Sequence, residues 1–406
     1  MTGSSFYSVE KIEGGRSGGA TQAETRIYNE RLVLSLIRRH GALSKVELTK
    51  LTGLSAQATT TIVNRLAKAQ LLLRGEPIRG RLGQPAVPYS LNPDGAFGFG
   101  LKIDRRSADV ALVNLSGQHV AFERTTYDYP TPDGVLHFAR EAITQMRHMK
   151  SAPPAEKIAG IGIASPYQLW GWADKLGVRP EELAGWKRVD VRRELEAEFD
   201  WPAYLFNDGM VSAAAELMFG MESGRSDFLY AYIGFFIGGG LVLDHHLFPG
   251  RNREAGALGF FQVPATDSVH SSSVPLMDVA SLISLVEKVG RDSQTQIWTS
   301  PEHWDDLGPS LEDWIVQSSN ALTEAVLGAV PLLDVDSIII DGAMPESVRK
   351  EVAKRVRKKL VGKLDYRKEP FSVLEGTFGH LAPAVGAASI PLMVRYSTDK
   401  DILFKE

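Results

Sequence analysis

Apolar residues recur at helical spacing near the start of the chain and predict three short helices. The first helix covers 26–40, where Gly41 offers a stop. Ser44 and Glu47 form a capping-box pattern that opens a second helix, and Gly53 closes it. Ser55 then caps a third helix that runs to about residue 70. Helix, tight glycine turn and helix is the order of a helix-turn-helix unit.

The third helix has two faces of different character. An apolar stripe predicts the buried side: Ala58, Ile62, Leu66 and Ala69. The polar side has no acidic residue. On this side lie Gln57, Thr60, Thr61, Asn64, Arg65 and Lys68. The candidate DNA contacts are Ser55, Gln57, Thr59, Thr60, Asn64, Arg65 and Lys68. Residues early in such a helix read base edges, whereas its basic residues hold phosphates. An ordinary solvated helix face is the alternative.

A basic, glycine-rich tip follows the third helix. It lies between the apolar run 71–73 and the strand-like run 87–91. This arrangement predicts a wing, in which Arg79 and Arg81 enter an adjacent minor groove. A solvent-exposed basic hairpin is the alternative.

From residue 97 onward the pattern changes to apolar strands alternating with helices. Strands are predicted over 97–103, 108–115, 119–126 and 158–164, with a helix over 134–149. The same order begins again at residue 228, and its strands are 228–234, 240–243, 337–340 and 371–374, with a basic helix ending at 360. Two copies predict an α/β protein of two lobes with a ligand cleft between them.

Charge and composition sharpen this division. Residues 1–93 hold 13 Lys and Arg against 6 Asp and Glu, whereas the remainder holds 32 against 43. A basic unit on an acidic one favours a polyanion partner for the first, although chance clustering is the alternative. The chain has no cysteine and no apolar run of about 18 residues. We therefore expect a cytoplasmic protein with no disulfide, no membrane association and no thiolate metal site.

Several stretches resemble the ROK family of repressors, open reading frames and kinases. In the first unit they are 53–72 and the wing segment 83–93, in which Gln84 stands where the family has Arg. In the second they are 160–166, 204–216, 234–242, 252–260 and 376–389. The Gly/Ser-rich composition of residues 1–25 predicts a flexible segment. The resemblance implies a winged helix-turn-helix domain 26–93 and an actin-like (RNase H-like) kinase domain 94–406. It implies a cleft near 164–166, 207–208 and 234–260.

The resemblance also implies where a sugar would bind. The matching positions are Ser165, Asn207, Asp208, Gly239 and Glu254. Asp208 stands where kinases have the carboxylate that takes a proton from the sugar hydroxyl. Asn207 and Asp208 also suit a helix N-cap, and the two roles are compatible.

The nucleotide-binding motifs of the family are altered in this chain. Where kinases have Asp-x-Gly-Gly-Thr, residues 102–106 read Lys-Ile-Asp-Arg-Arg, and Phe235 replaces the hydroxyl of the second phosphate loop. The segment 341–343 matches the adenosine-side glycine pair only by half. Ala257 and Phe260 replace a Glu and a zinc-binding His. We therefore expect no enzyme activity, cofactor or metal, with Asp208 a vestige of catalysis.

These observations together predict a transcriptional repressor of sugar-uptake or sugar-catabolism genes. Its partners would be operator duplex DNA, a sugar or sugar-phosphate effector and a second copy, as a dimer or tetramer. An anionic effector follows if Lys102, Arg105 and Arg106 line the cleft, whereas solvated turn positions are the alternative. Two further hypotheses remain: an active ATP-dependent sugar kinase with an appended DNA-binding domain, and a second domain that only dimerises.

Overall fold

The structure is a computed structural model that describes residues 21–78, 86–166, 168–221, 224–265, 272–304 and 307–398. The described residues between 21 and 91 form a helical unit with a small sheet. The elements are α1 (Gln22–His40), β1 (Leu43–Ser44), α2 (Lys45–Thr52), α3 (Ala56–Lys68), β2 (Leu72–Arg74) and β3 (Pro88–Leu91). The strands pair in the order β1-β3-β2, all antiparallel. Three helices and a three-stranded sheet in this order make a winged helix.

The local signals of the sequence explain where these helices start. Ser44 accepts the Glu47 backbone N–H while the Glu47 carboxylate accepts the Ser44 N–H, so the predicted capping box is present. Ser55 caps α3 by accepting the Ala58 N–H. Helix α1 begins four residues before the predicted position, because Thr21 and Glu24 form a second capping box.

The next part of the chain is the first of two α/β lobes. Its elements are β4 (Phe97–Ile103), β5 (Ser107–Asn114), β6 (His119–Thr126), α4 (Pro132–Arg147), β7 (Ile158–Ala164), α5 (Ala173–Leu176), α6 (Pro180–Leu183), α7 (Val191–Phe199), β8 (Ala203–Phe206) and α8 (Asp208–Phe219). The sheet order is β6-β5-β4-β7-β8, in which β4, β7 and β8 are parallel.

The second lobe repeats this topology. Its elements are β9 (Phe228–Ile233), β10 (Ile237–Leu243), β11 (His246–Phe248), β12 (Gln262–Pro264), β13 (Ser273–Pro275), α9 (Leu276–Ala280), α10 (Leu282–Val286), α11 (Arg291–Thr299), α12 (Pro309–Leu333), β14 (Ser337–Gly342), α13 (Glu346–Leu360), β15 (Ser372–Glu375) and α14 (Ala382–Tyr396). The sheet order β11-β10-β9-β14-β15 mirrors that of the first lobe. The predicted α/β class and the duplicated strand order are confirmed.

The last helix, α14, returns to the first lobe and packs on β4, β7 and α8. Glycines make this close approach possible. A Cβ on Gly100 of β4 would lie 2.0 Å from the carbonyl oxygen of Ala384, and one on Gly386 would lie 1.8 Å from that of Val211. Strand and helix backbones are therefore in direct contact where longer side chains would hold them apart.

Helix α14 also reaches the winged helix. Arg31 of α1 donates to the carbonyl oxygen of Arg395 at 3.3 Å, and Arg38 donates to the Ser397 hydroxyl at 3.4 Å. Tyr396 packs against the apolar core of the winged helix. Among the described helices, none is long and apolar enough to cross a membrane.

Candidate functional site

The exposed face of α3 is the candidate nucleic-acid surface. Ser55, Gln57, Asn64, Arg65 and Lys68 are exposed, and Thr60 is half-buried. The buried side is formed by Thr59, Ile62, Val63 and Leu66, which pack on α1 and α2. Ala69 is exposed rather than buried, so the apolar stripe is rotated slightly from the predicted one.

Thr59 is the one described candidate for DNA contact that the structure places in the interior. Its side chain has 0% exposure, three and four residues before Ile62 and Val63 on the inner face of the helix. A side chain on that face cannot reach a base edge, so this prediction is wrong. Thr61, which the sequence also places on the polar side of the helix, is exposed.

Two polar contacts position the basic residues of this surface. Arg65 forms an ion pair with Glu30 of α1 at 2.8 Å, and Lys45 donates to the Asn64 side chain at 2.9 Å. The Lys45 ammonium also lies 5.5 Å from the centre of the Tyr89 ring. Lys45 thus joins the polar surface of α3 from the start of α2, where only the packing of the two helices reveals it. The other predicted contacts, Arg79 and Arg81, lie outside the described residues.

The candidate ligand pocket lies between the lobes, at the N-terminus of α8, and measures about 270 Å³. Of the predicted ligand residues, Asn207, Asp208, Gly239 and Glu254 line it. Ser165 does not, although its neighbour Pro166 does. Gly239 of β10 lies against α8, because a Cβ on Gly209 would be 2.6 Å from the Gly239 nitrogen. The pocket is therefore made by a helix of one lobe and a strand of the other.

Asn207 and Asp208 combine the two roles that the sequence allowed. The Asn207 side chain accepts the Gly209 N–H at 3.0 Å and caps α8. An Asp208 carboxylate oxygen accepts the same N–H at 2.9 Å. Burial raises the pKa of Asp208, and the Arg105 cation opposes this rise. The carboxyl group thus stands at a helix N-terminus inside the pocket.

The turn that follows β4 holds a buried ionic network. The Lys102 ammonium has 2% exposure and lies 3.4 Å from Asp104 and 3.3 Å from Asp109. Arg124 lies 3.5 Å from Asp109 and donates to the carbonyl oxygen of Trp298 in the second lobe. Burial acts to raise the pKa of Asp104, but Lys102 and Arg105 outweigh it and lower that pKa. Lys102 is therefore neither solvated nor open to the cleft, which corrects both sequence interpretations of this residue.

The other two cations of this turn point in different directions. Arg106 donates to the carbonyl oxygen of Asp128 at 2.6 Å, away from the pocket. Arg105 lines the pocket. Its guanidinium lies 4.5 Å from the Phe236 ring centre and 4.8 Å from that of Trp172. Phe235 is buried beside it and stacks on Trp298 at 5.3 Å. The turn between β4 and β5, which carries Arg105, faces the turn between β9 and β10, which carries Phe235 and Phe236. The space between these two turns is thus filled by side chains of the protein itself.

A second buried carboxylate stands at the end of β14. Asp341 forms an ion pair with Arg349 at 3.3 Å and accepts hydrogen bonds from the Tyr230 hydroxyl and the Gly342 and Gly379 N–H groups. Burial raises its pKa, and Arg349 opposes the rise. The backbone N–H groups at this point are already occupied by a carboxylate. Within the described residues, no group of three His, Asp or Glu side chains is arranged to hold a metal ion.

A winged helix joined to two lobes of the same topology, with a pocket between them, defines an actin-like, sugar-kinase type of architecture with an N-terminal winged helix. The ROK family profile matches residues 99–393, so the chain belongs to the ROK family.

Relatives and solved structures agree with this assignment. The chain is similar to the xylose repressor of Bacillus spizizenii, with 24% identity over 91% of this chain and 96% of that protein. It is also similar to a solved ROK family transcriptional regulator, a homologue of the Escherichia coli MLC protein. That match has a TM-score of 0.63 and 22% identity, and it covers 94% of this chain and 98% of the regulator's chain. The chain is also similar to a ROK family glucokinase from Streptomyces griseus, solved with glucose and AMPPNP. That match covers 73% of this chain and 99% of the glucokinase chain, with a TM-score of 0.54 and 20% identity. These structures show the shared fold.

Proposed function

We propose that the protein is a transcriptional repressor whose residues 26–93 read operator DNA and whose residues 94–406 bind a sugar-type effector. The observation that carries the proposal is the surface of α3. It presents Gln57, Thr61, Asn64, Arg65 and Lys68 outward without an acidic residue on the same face. Such a surface supplies base-edge and phosphate contacts in the major groove. We infer a cytoplasmic location from this role, since a repressor acts where the chromosomal DNA is.

The cleft supports a sensor rather than a kinase. Transfer of a phosphoryl group requires backbone and cationic groups that are free to hold the triphosphate. Here Lys102 is already paired with two carboxylates, and Arg105 and Phe235 fill the space between the facing turns. What remains is the pocket around Asp208, which has the size for a small polar ligand.

Two helices supply a path from this pocket to the DNA-reading head. Helix α8 begins in the pocket at Asp208 and rises about 15 Å to Leu217 and Met218, which line a crevice with Arg38 and Arg39 of α1. Helix α14 packs along α8 and contacts α1 at its far end. A ligand that closes the lobes would shift this pair of helices and, through α1, the orientation of α3. The DNA affinity would change by the difference in ligand affinity between the two states.

A second copy completes the mechanism. Two recognition helices about 34 Å apart would read two half-sites one helical turn from each other. A dimer or tetramer therefore suits the proposed role, because one winged helix alone makes few phosphate contacts.

The test is a selection of genomic DNA fragments by the full chain, followed by binding titrations at several salt concentrations. We expect a recurring inverted-repeat sequence whose affinity changes when a sugar is added. Failure to bind duplex DNA even at low salt would overturn the proposal, because the phosphate contribution is strongest there.

The kinase alternative is tested separately with ATP, Mg²⁺ and a panel of sugars. We expect no turnover by the intact protein. Turnover that disappears in Asp208→Ala would establish the enzyme instead, because Asp208 is the carboxyl group in the pocket that is placed to act as the base.

A further inference from the structure

The interlobe pocket contains a buried cation whose hydrogen-bonding groups are not satisfied by the protein. Arg105 has 5% exposure, and its Nε has no hydrogen-bond partner among the described residues. Its nearest carboxylate contact is to Asp104, at 3.7 Å. That distance is too long for a hydrogen bond. A buried polar group left in this condition costs free energy that a ligand can recover.

The aromatic residues around Arg105 hold it in one orientation. Trp172 and Phe236 lie 4.8 and 4.5 Å from the guanidinium carbon. The two ring centres are only 4.6 Å apart, so both rings lie on one side of the guanidinium. Contacts with aromatic rings use none of the five N–H donors of an arginine. The guanidinium is therefore fixed without its donors being used. A planar group presented in this way matches the two oxygens of a carboxylate or phosphate.

The carboxylates nearby are already engaged. One oxygen of Asp104 faces Lys102 at 3.4 Å, and the other accepts the Arg105 backbone N–H at 2.7 Å. Asp109 faces Lys102 and Arg124. This turn region thus has three buried or half-buried cations for two acidic groups, before the pocket itself is counted. The pocket lining adds one more arginine, Arg253, and two acids: Glu254, and Asp208, whose ionisation is disfavoured by burial. The unused donors of Arg105, and not an excess of positive charge, therefore favour an anionic ligand.

From this geometry we propose that the effector is an anionic monosaccharide, whose carboxylate or phosphate group is bound by Arg105. The inference rests on the proposed function, since it concerns the ligand of the same pocket. A volume of about 270 Å³ is at the small end of ligand sites, and favours a single sugar ring. Asn207 and Asp208 remain available to the hydroxyl groups, while Arg105 distinguishes the anionic form from the neutral one.

The test compares matched probes on the full-length protein at constant ionic strength. Calorimetric titrations would use D-glucose, D-glucuronate and D-glucose 6-phosphate, together with D-galactose and D-galacturonate. Acetate and inorganic phosphate show whether the anion alone is enough. We expect one anionic sugar to bind at least about tenfold more tightly than its neutral partner, because a charge-assisted hydrogen bond is worth that much. Comparison of the two uronates with D-glucose 6-phosphate shows whether the pocket prefers a carboxylate or a phosphate group.

Variants of the turn assign the preference to one side chain. Arg105→Met should remove the preference for the anionic sugar. Arg106→Met is the matched control: Arg106 is the next residue in the chain, but its side chain donates to the carbonyl oxygen of Asp128, so the preference should remain. Arg105→Lys should retain only part of it, because an ammonium group cannot form the paired, planar contact. The melting temperature of each ligand-free variant is measured first. If Arg105→Met does not fold, Arg105→Lys serves in its place, and an unchanged preference in it overturns the inference.

The outcomes separate this inference from the proposed function. Neutral sugars that bind as well as the anionic ones, or an Arg105→Met protein that keeps the preference, would overturn the anionic ligand and leave a sugar-sensing repressor. Binding of acetate or inorganic phosphate as tightly as the sugars would also overturn it. If no sugar of either kind binds, the inference and the sensing role in the proposed function both fail, while DNA binding is judged by its own selection experiment.

Discussion

Arg65 and Lys68 in the winged helix lie at the surface, whereas Lys102 and Arg105 in the interlobe cleft are buried. The surface pair is held loosely: Arg65 has one ion pair with Glu30, and its side chain is 47% exposed. Exposed ion pairs of this kind contribute about 0–1 kcal/mol and exchange readily. The buried cations are enclosed by carboxylates or aromatic rings. Burial and pairing, rather than charge alone, decide which arginine or lysine is available to a polyanion.

The first way to test this contrast is to remove a buried cation. Lys102→Met leaves Asp104 and Asp109 inside the first lobe with one fewer counter-charge. Loss of one partner of a buried ion pair costs about 3–5 kcal/mol. Chemical denaturation should show this loss in the transition that reports the first lobe. Lys150→Met, at an exposed position, is the matched control and should change little. Equal behaviour of the two variants would mean that the buried network does not hold the turn.

The second test concerns the connection between the two regions. Gly386→Ala places a Cβ within 1.8 Å of the Val211 carbonyl oxygen, so α14 and α8 must move apart. Overpacking of this kind costs about 1–3 kcal/mol. We also expect a smaller effect of the effector on DNA affinity, since the helix pair would no longer move as one. Gly224→Ala, where an added Cβ meets nothing within 4 Å, is the control. Full transmission of the ligand effect in Gly386→Ala would contradict the helix-pair mechanism.

The third test returns to the exposed cations. Arg65→Ala should weaken binding to all DNA sequences and reduce the salt slope of the affinity by about 1. Glu30→Gln should strengthen binding, because it releases Arg65 and removes the negative charge that α1 places beside the exposed face of α3. Gln57→Ala should instead relax the preference at one base position. Lys358→Ala, exposed on α13, provides a control that should leave the affinity unchanged. An equal loss in Arg65→Ala and Lys358→Ala would point to general charge rather than a reading surface.

Sequence patterns alone predict the secondary structure correctly where it depends on residues close together in the chain. Strand β4 and strand β7 have the predicted ends, and Ser44 and Ser55 cap the predicted helices. Periodicity also gave the duplicated order of the lobes. The rotation of α3 was harder to predict, because an alanine and a threonine are both small enough for either face. Packing on α1 and α2 places Thr59 inside.

The state of the cleft depends on contacts between distant parts of the chain. Residues 102–106 show three cations in the sequence, but not that Asp109 neutralises Lys102 while Arg106 turns toward Asp128. Trp172 and Phe236, which enclose Arg105, are separated from it by 67 and 131 positions along the chain. Only the folded lobes bring them together. The predicted pocket residues at 207, 208, 239 and 254 line one pocket because the resemblance to a known fold already contained that information.

The smallest expected effect is at the surface of the winged helix. Glu47 completes the capping box of α2, and its hydrogen bonds with Ser44, ahead of the more distant Lys50, lower its pKa. A carboxyl group with a lowered pKa stabilises the folded state above its unfolded value of about 4.5, and this contribution is lost as the pH falls through the folded value. Glu47→Gln keeps an acceptor for the Ser44 N–H but removes the charge near the helix N-terminus. We expect it to lower the unfolding free energy of the winged helix at pH 7 by about 0.3–1 kcal/mol. The difference from the wild type should narrow below pH 4.5. Glu76→Gln, at an exposed position outside the helices, is the control for the loss of one surface charge. A difference that stays constant between pH 7 and pH 4 would assign the effect to packing instead of charge.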